Sequence, residues 1–283
     1  MAFRRILSRA LVFVVVLGGL WAVWEGYKWL WERTGWSKPF RVDDLTLPHV
    51  HSILLQLGKP TSTGDDLWLY LLHSALFTAR AAAVGFLFGA AVGFALGVVL
   101  AHFDVLRRGV MPYVVASQTI PILALAPIVV RGLGSVSIGG GPPPDWARVA
   151  VIAAYLTFFP VTVNTMRGLL SADPWALELM HSYAARGWTT LWKLRVPSAL
   201  PYIFTALKIA ATASVVGAII GEQTASISNG LGGAILNFNQ YYVLEPTDLW
   251  ATNLFAAMLG IGFFLVVLVA EKVIVHRAPE RLV

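Results

Sequence analysis

The chain has 283 residues, of which 57% are hydrophobic and only 13% carry a charged side chain. Soluble domains carry about 25% charged residues, so this composition excludes an ordinary water-soluble protein and favours one embedded in a lipid bilayer. The absence of cysteine excludes a disulfide framework and any thiolate metal or redox site. The net charge of +6 comes from basic residues scattered singly or in pairs, a distribution that does not predict a nucleic-acid partner.

Six segments are apolar over the roughly 20 residues that a membrane-spanning helix needs. They are residues 10–31, 68–101, 110–130, 148–166, 200–221 and 250–270. Three arginines precede the first segment, as in a secretory signal peptide, but no small-residue cleavage site follows. The apolar run instead passes into five tryptophans between positions 21 and 36, as in the interfacial belt of a retained anchor. The predicted fold is all-α, a polytopic membrane protein with about six transmembrane helices.

The basic residues also predict the orientation of the chain. With both termini in the cytoplasm, the inner segments carry twelve Lys and Arg and the outer segments carry six, as the positive-inside rule requires. The predicted division is an N-terminal anchor and extracytoplasmic segment over 1–66, a membrane core over 67–275, and a cytoplasmic tail over 276–283.

The outer segments contain few candidates for chemistry. His49 and His51 form a His-x-His pair within a short predicted interfacial helix over 45–57, but no carboxylate or cysteine beside them in sequence supports a metal site. The acidic residues of the outer loops, Asp248 among them, are interpreted as solvated charge. No metal site is therefore predicted.

A row of glycines marks the second predicted span. Gly85, Gly89, Gly93 and Gly97 recur every four residues, which places them on one helical face where another helix can approach closely. Tight packing within one subunit is the favoured interpretation, and a helix that slides against a neighbour during transport is the alternative.

The sequence has no motif that would supply energy or catalysis. It has no phosphate-binding loop, no Ser-His-Asp or His-Glu-x-x-His arrangement, and few acidic residues within the spans. A membrane-embedded enzyme is therefore not favoured, nor is a self-sufficient secondary transporter or channel, which would need intramembrane charges or inverted repeats.

Residues 171–197 form the longest polar stretch on the predicted inner side. Asp173 and Pro174 are a suitable N-cap and first position for a helix. Leu177, Met180 and Ala184 are predicted to form one apolar face, and Trp188 begins a second. A helix pair held below the membrane in this way is suited to docking on a partner.

This stretch resembles the cytoplasmic signature of permease subunits of binding-protein-dependent ABC importers. That signature reads Glu-Ala-Ala, three residues, Gly, nine residues, Ile-x-Leu-Pro. Here Glu178 and Pro197 match at the same spacing, whereas Ala184 stands where the family has glycine. Because alanine adopts left-handed geometry at a cost, Gly187 is predicted to host the turn instead.

Further motifs resemble the nitrate/sulfonate/taurine branch of these permeases, over roughly residues 67–275. The residues they suggest for a pathway or gate are Gln118, Pro121, Asn164, Glu222, Gly230 and Gly232. The resemblance implies a type I importer permease in a bacterial inner membrane. It also implies partner chains: two ATP-binding cassette ATPase subunits that bind ATP and Mg²⁺, an extracytoplasmic solute-binding protein, and a second permease subunit, expected as a homodimer. This chain itself is expected to bind no cofactor and to catalyse no reaction.

The substrate class rests on a shorter resemblance. Residues 178–183 resemble permeases for thiamine-pyrimidine precursors and for riboflavin, which suggests a flat heterocyclic nutrient. Sulfonates, taurine or nitrate are the alternative.

Overall fold

The computed structural model describes residues 2–35, 38, 42–61, 64–137 and 140–275, and within them the chain forms helices and no strand. The all-α prediction is thereby confirmed. The helices are α1 (Ala2–Thr34), α2 (Val50–Gln56), α3 (Leu67–His102), α4 (Asp104–Ser117), α5 (Ile122–Gly134), α6 (Asp145–Leu170), α7 (Pro174–Ser182), α8 (Gly187–Thr190), a π-helical turn (Leu191–Arg195), α9 (Val196–Ala225), α10 (Leu231–Gln240) and α11 (Pro246–Ile274).

Four helices in this part of the chain are long and apolar enough to cross a membrane. They are α3, α6, the continuous helix over Gly187–Ala225, and α11. The first predicted span, 10–31, lies in α1, where several side chains are outside the described residues. The predicted cytoplasmic tail, 276–283, also lies outside them.

The predicted span over 110–130 is divided into two helices. The chain forms two helices there, α4 and α5, which are bent by 94° relative to each other. The break covers Gln118 to Pro121, and Pro121 lacks the backbone N–H that would continue the α4 hydrogen-bond ladder. Residues before a proline also disfavour helical geometry, so the bend has a local cause.

The glycine row places α3 and α6 side by side and pointing the same way. A Cβ added at Gly85, Gly89, Gly93 or Gly97 would lie 2.5, 2.5, 2.6 and 2.9 Å, respectively, from the carbonyl oxygens of residues 150, 154, 158 and 162. The two series rise together, so the helices are parallel. The C-terminus of α3 and the N-terminus of α6 therefore lie at opposite ends of this helix pair. The chain between them must cross from one end to the other. The bent pair α4–α5 is therefore a broken span and not a loop that returns to its starting side.

Helices α6 and α9 pack closely in the opposite direction. A Cβ at Gly217 would lie 2.9 Å from Ala153 Cα, and one at Gly168 would lie 2.9 Å from Ala199 Cβ. High numbers on α6 therefore meet low numbers on α9, so the pair is antiparallel. Helices α3, α5, α6 and α9 share one core of small and branched residues: Ala81, Ala82, Ala126, Val130, Val149, Ile152, Ala153, Val215 and Ala218.

The chain divides into two compact units, and the contacts so far described lie in the larger one, Leu71–Asn237 with Thr252–Val283. The smaller unit comprises Met1–Tyr70 and Phe238–Ala251. Within the smaller unit, the Gln56 side-chain amide donates a 2.8 Å hydrogen bond to the carboxylate of Asp248, which is only 9% exposed. The interpretation of Asp248 as solvated charge is therefore wrong. Its partner is distant in sequence, so no local pattern revealed the contact.

Candidate functional site

The predicted coupling segment begins with a helix whose start is confirmed. Helix α7 starts at Pro174, and the Asp173 carboxylate accepts a 2.9 Å hydrogen bond from the Trp175 backbone N–H. This contact satisfies one of the free donors at a helix N-terminus. No residue of α7 is buried, so the helix presents most of its surface to its surroundings.

The turn that follows α7 is built on Ala184 and not on Gly187. Ala184 has a φ angle of +49°, in the left-handed region, whereas Gly187 is not among the residues with positive φ. The prediction that Gly187 hosts the turn is therefore wrong. Two hydrogen bonds close the turn, from Ala184 N to His181 O and from Ala185 N to Met180 O, and they hold the alanine in geometry that costs roughly 1–2 kcal/mol.

The apolar surface of α7 has two sides. Leu177 and Met180 are half-buried. The side most available to another molecule carries Trp175, Leu179 and Tyr183, which are 79%, 56% and 75% exposed. These three recur every fourth residue and therefore line one face of the helix, a stripe that the sequence analysis missed. Glu178 and Ala184 are also exposed.

The second half of the segment runs without interruption into the next span. Trp188 is 71% exposed and packs edge-on against Trp192, with 5.6 Å between ring centroids. Leu191 is buried in a core cluster with Leu100 and Leu169. Together α8, the π-helical turn and α9 form one helix of 39 residues, and Pro197 lies in the first turn of α9.

Glu222 forms the centre of a buried cluster at the other end of α9. Its side chain is 0% exposed. Its Oε2 atom accepts a 2.8 Å hydrogen bond from the Gly232 backbone N–H and a 3.0 Å hydrogen bond from the Thr78 hydroxyl. The same Thr78 oxygen accepts a 2.9 Å hydrogen bond from Leu231 N. The carboxylate and the hydroxyl therefore cap the N-terminus of α10, which carries partial positive charge.

The glycines around Glu222 are required by close approach. A Cβ at Gly230 would collide with the Glu222 carboxylate, and one at Gly232 would lie 2.5 Å from Ile219 O. The structure thus brings together three of the predicted gate residues, Glu222, Gly230 and Gly232, and adds Thr78. Glu222 Oε1 is buried with no hydrogen-bond partner within the described residues.

The other predicted pathway residues lie apart from this cluster along the chain. Gln118 and Pro121 flank the bend between α4 and α5. Asn164 is half-buried on α6, where its side-chain amide donates a 2.8 Å hydrogen bond to Pro160 O. A role for these residues in a pathway or gate stays a prediction.

The histidine pair has an acidic neighbour that the sequence analysis did not connect with it. Glu25, on α1, lies 24 residues away in sequence, yet its Oε2 is 2.6 Å from His49 Nδ1. One ligand atom each from Glu25, His49 and His51 fall within 4.8 Å of one another. The sequence could not reveal this contact, because only the tertiary fold brings α1 to residues 49–51.

A family model describes most of the larger unit. Residues 76–278 match the family described as "binding-protein-dependent transport system inner membrane component", which is well over half of the chain. The chain belongs to this family. The resemblance inferred from the coupling segment and the gate motifs is thereby confirmed.

Curated proteins similar to this inner membrane component transport different compounds. The formylaminopyrimidine transport permease protein ThiX of Halalkalibacterium halodurans is 40% identical over 167 residues, 57% of this chain and 63% of that protein. The riboflavin transport system permease protein RibX of Chloroflexus aurantiacus is 30% identical over 135 residues, 48% and 47% of the two chains. A putative aliphatic sulfonates transport permease protein, SsuC of Bacillus subtilis, is 26% identical over 160 residues, 56% and 54%. The chain thus spans between about half and two thirds of each relative's length.

The family match covers some of the regions described above and leaves others out. The match includes the glycine row, the coupling segment and the Glu222 cluster. It begins after α1 and α2, so the cluster of Glu25, His49 and His51 lies outside it. The chain is a multi-pass inner-membrane protein, as predicted, and its four long apolar helices agree with that location.

Proposed function

We propose that this chain is the permease subunit of an ATP-driven importer and that it forms the path for a small nutrient delivered by a solute-binding protein. The single observation that carries the proposal is the family match over 76–278. Four long apolar helices supply the membrane path. The sequence has no phosphate-binding loop, so ATP and Mg²⁺ bind to partner ATPase subunits and this chain catalyses no reaction.

The surface around α7 is the proposed contact with the ATPase. ATP binding on another chain can move these helices only through an element whose state both sites influence. Trp175, Leu179 and Tyr183 expose large apolar surfaces along one helical face, and such patches mark interaction sites. The occupant is an ATPase groove with an apolar floor. Glu178, exposed beside this stripe, is placed to meet a basic residue at the rim.

The coupling proposal is tested by adding charge at the contact. Ala184→Glu places a carboxylate on the exposed turn after α7, and we expect it to abolish transport while the permease still inserts in the membrane. ATPase activity should also lose its stimulation by loaded binding protein. Val105→Glu is the matched control, because Val105 is 85% exposed on α4 and outside the segment. Normal transport by the Ala184→Glu protein would rule out residues 174–196 as the coupling element.

The proposed substrate is a pyrimidine precursor of thiamine. The supporting observation is the 40% identity to a formylaminopyrimidine permease, together with the resemblance of residues 178–183 to such proteins. Riboflavin is the second candidate, supported by the 30% identity to a riboflavin permease. The weaker 26% identity to a sulfonate permease leaves sulfonates third.

Growth of a thiamine auxotroph tests the substrate. The host strain cannot synthesise the pyrimidine part of thiamine, and its copy of this gene is deleted. We expect formylaminopyrimidine to support growth only when the wild-type gene is restored, and not when the Ala184→Glu gene is. Equal growth with and without the gene would exclude this substrate, and parallel uptake of labelled riboflavin and taurine would then identify the alternative.

A secondary transporter is the competing function, and buried Glu222 is the observation that favours it, because intramembrane carboxylates serve as proton relays. Against this, Glu222 already accepts hydrogen bonds from Gly232 N and Thr78, as a structural cap does. Transport that continues after the partner ATPase is inactivated would favour the secondary transporter.

A further inference from the structure

Two carboxylates and two imidazoles meet in the smaller unit, at the end of α1 and the start of α2. His49 Nδ1 lies 2.6 Å from Glu25 Oε2, and His49 Nε2 lies 3.2 Å from Glu32 Oε1. The His51 ring lies beside the His49 ring, with 5.0 Å between centroids. Three potential metal ligands, one each from Glu25, His49 and His51, therefore converge in a region that the family match does not cover.

Each ring nitrogen of His49 faces a carboxylate oxygen. A neutral imidazole has one N–H donor and one lone pair, and a carboxylate only accepts. With carboxylates at both ring nitrogens, one lone pair of the neutral ring faces a carboxylate oxygen. That repulsion is removed by a second proton or by a metal ion between the two groups.

Two basic residues near this cluster on α1, Lys28 and Arg33, are engaged elsewhere. Lys28 Nζ binds the Asp44 carboxylate and donates a 2.9 Å hydrogen bond to Leu47 O. Arg33 stacks on Trp29, with its guanidinium carbon 4.6 Å from the ring centroid. Neither of these two basic residues of the described part neutralises Glu25 or Glu32, so a bound ion would supply the positive charge beside these carboxylates.

We propose that Glu25, His49 and His51 bind a divalent transition-metal ion of the zinc class. Imidazole and carboxylate are ligands that Zn²⁺ prefers, and three protein ligands leave a fourth position for water. Glu32 lies at the other ring nitrogen of His49, where it would accept a hydrogen bond from the metal-bound imidazole. The three ligand atoms lie within 4.8 Å of one another. Small side-chain rotations would bring them to the ~2.0–2.2 Å metal–ligand distances of zinc sites.

The surroundings suit such a site. Glu25 Oε1 accepts a 2.9 Å hydrogen bond from Val50 N, which orients the carboxylate and leaves Oε2 for the metal, as groups around metal ligands commonly do. Glu25 and His49 are half-buried while His51 is exposed, which gives an ion an entry path. Occupied, the site would tie the start of α2 to α1, in the segment that the predicted topology places outside the cell.

The test measures metal binding by the purified full-length permease, prepared with an affinity tag that contains no histidine. Titration with Co²⁺, a visible probe for zinc sites, should give one ion per chain and the intense absorption of tetrahedral cobalt. Zn²⁺ should displace it. The absence of cysteine means that no thiolate can produce this spectrum.

Matched histidine variants decide the outcome. Because His51 is exposed, we expect His51→Ala to fold and to weaken Zn²⁺ binding by at least the roughly 10–100-fold that loss of an orienting group costs. Glu25→Gln should show a similar loss, and His73→Ala, an exposed histidine on α3, should bind as the wild type does. If the wild type binds no more tightly than His51→Ala, or if His73→Ala weakens binding as much, the site does not exist.

Discussion

Replacing Gly89 by alanine should separate α3 from α6. The new Cβ would lie 2.5 Å from Ala154 O, 2.8 Å from Thr157 Cβ and 2.9 Å from Ala154 Cα. Carbon atoms pack best at about 3.5–4.0 Å, so the helices must move apart by about 1 Å. Two of these atoms are backbone and cannot rotate away. We therefore expect the free energy of unfolding to fall by about 2–3 kcal/mol, the upper part of the range for overpacked cores.

The matched control is Gly260→Ala, because a Cβ at Gly260 meets nothing within 4 Å. Alanine favours a helix by roughly 0.5–1 kcal/mol over glycine, so this variant should be neutral or slightly more stable. Unfolding in mixed detergent micelles with increasing dodecyl sulfate, followed by the fluorescence of the 11 tryptophans, measures both. Equal midpoints for the two variants would refute the packing of the glycine row against α6. A lower midpoint for Gly89→Ala seen only in the assembled transporter would place the contact between chains.

Three further changes have defined outcomes. Ala184→Gly should relieve part of the roughly 1–2 kcal/mol of left-handed strain and slow limited proteolysis between α7 and α8, whereas unchanged or faster cleavage would contradict it. Glu222→Ala should cost about 2–5 kcal/mol by leaving a cavity and the Gly232 N–H unpaired; Glu222→Gln, which keeps one oxygen acceptor, should cost much less, and equal losses would exclude the cap. In this cysteine-free chain, an impermeant thiol reagent should label Asn237→Cys but not Arg5→Cys in intact cells, and the reverse would invert the predicted topology.

Features that depend on short spacings were predictable from the sequence. The glycine row needed only a four-residue period, and the start of α7 needed only Asp173 followed by Pro174. Both are properties of a single helix. The exposed stripe of Trp175, Leu179 and Tyr183 has the same kind of period, but composition alone does not tell which apolar face a protein leaves uncovered.

Features that depend on the path of the chain were not predictable. The apolar run over 110–130 is continuous in composition, so hydropathy did not show its break. Pro121 is a local cause of that break, but Pro112 and Pro127 lie inside helices, so the positions of the prolines did not show which one ends a helix. The turn at Ala184 reverses the ordinary preference for glycine because surrounding backbone hydrogen bonds hold it. Thr78 and Glu222 are separated by 144 residues, and Glu25 reaches His49 only through the tertiary fold.

The π-helical turn at Leu191–Arg195 sets the rotational phase between the two ends of a long helix. Trp188 precedes the turn and Glu222 lies near the far end, about 50 Å away at 1.5 Å per residue. A π turn accommodates an extra residue relative to an α turn, and one residue corresponds to about 100° of rotation at 3.6 residues per turn. The direction in which Trp188 points relative to Glu222 is therefore determined by the number of residues in this turn. Deleting one residue there would rotate one end against the other while leaving every remaining side chain unchanged.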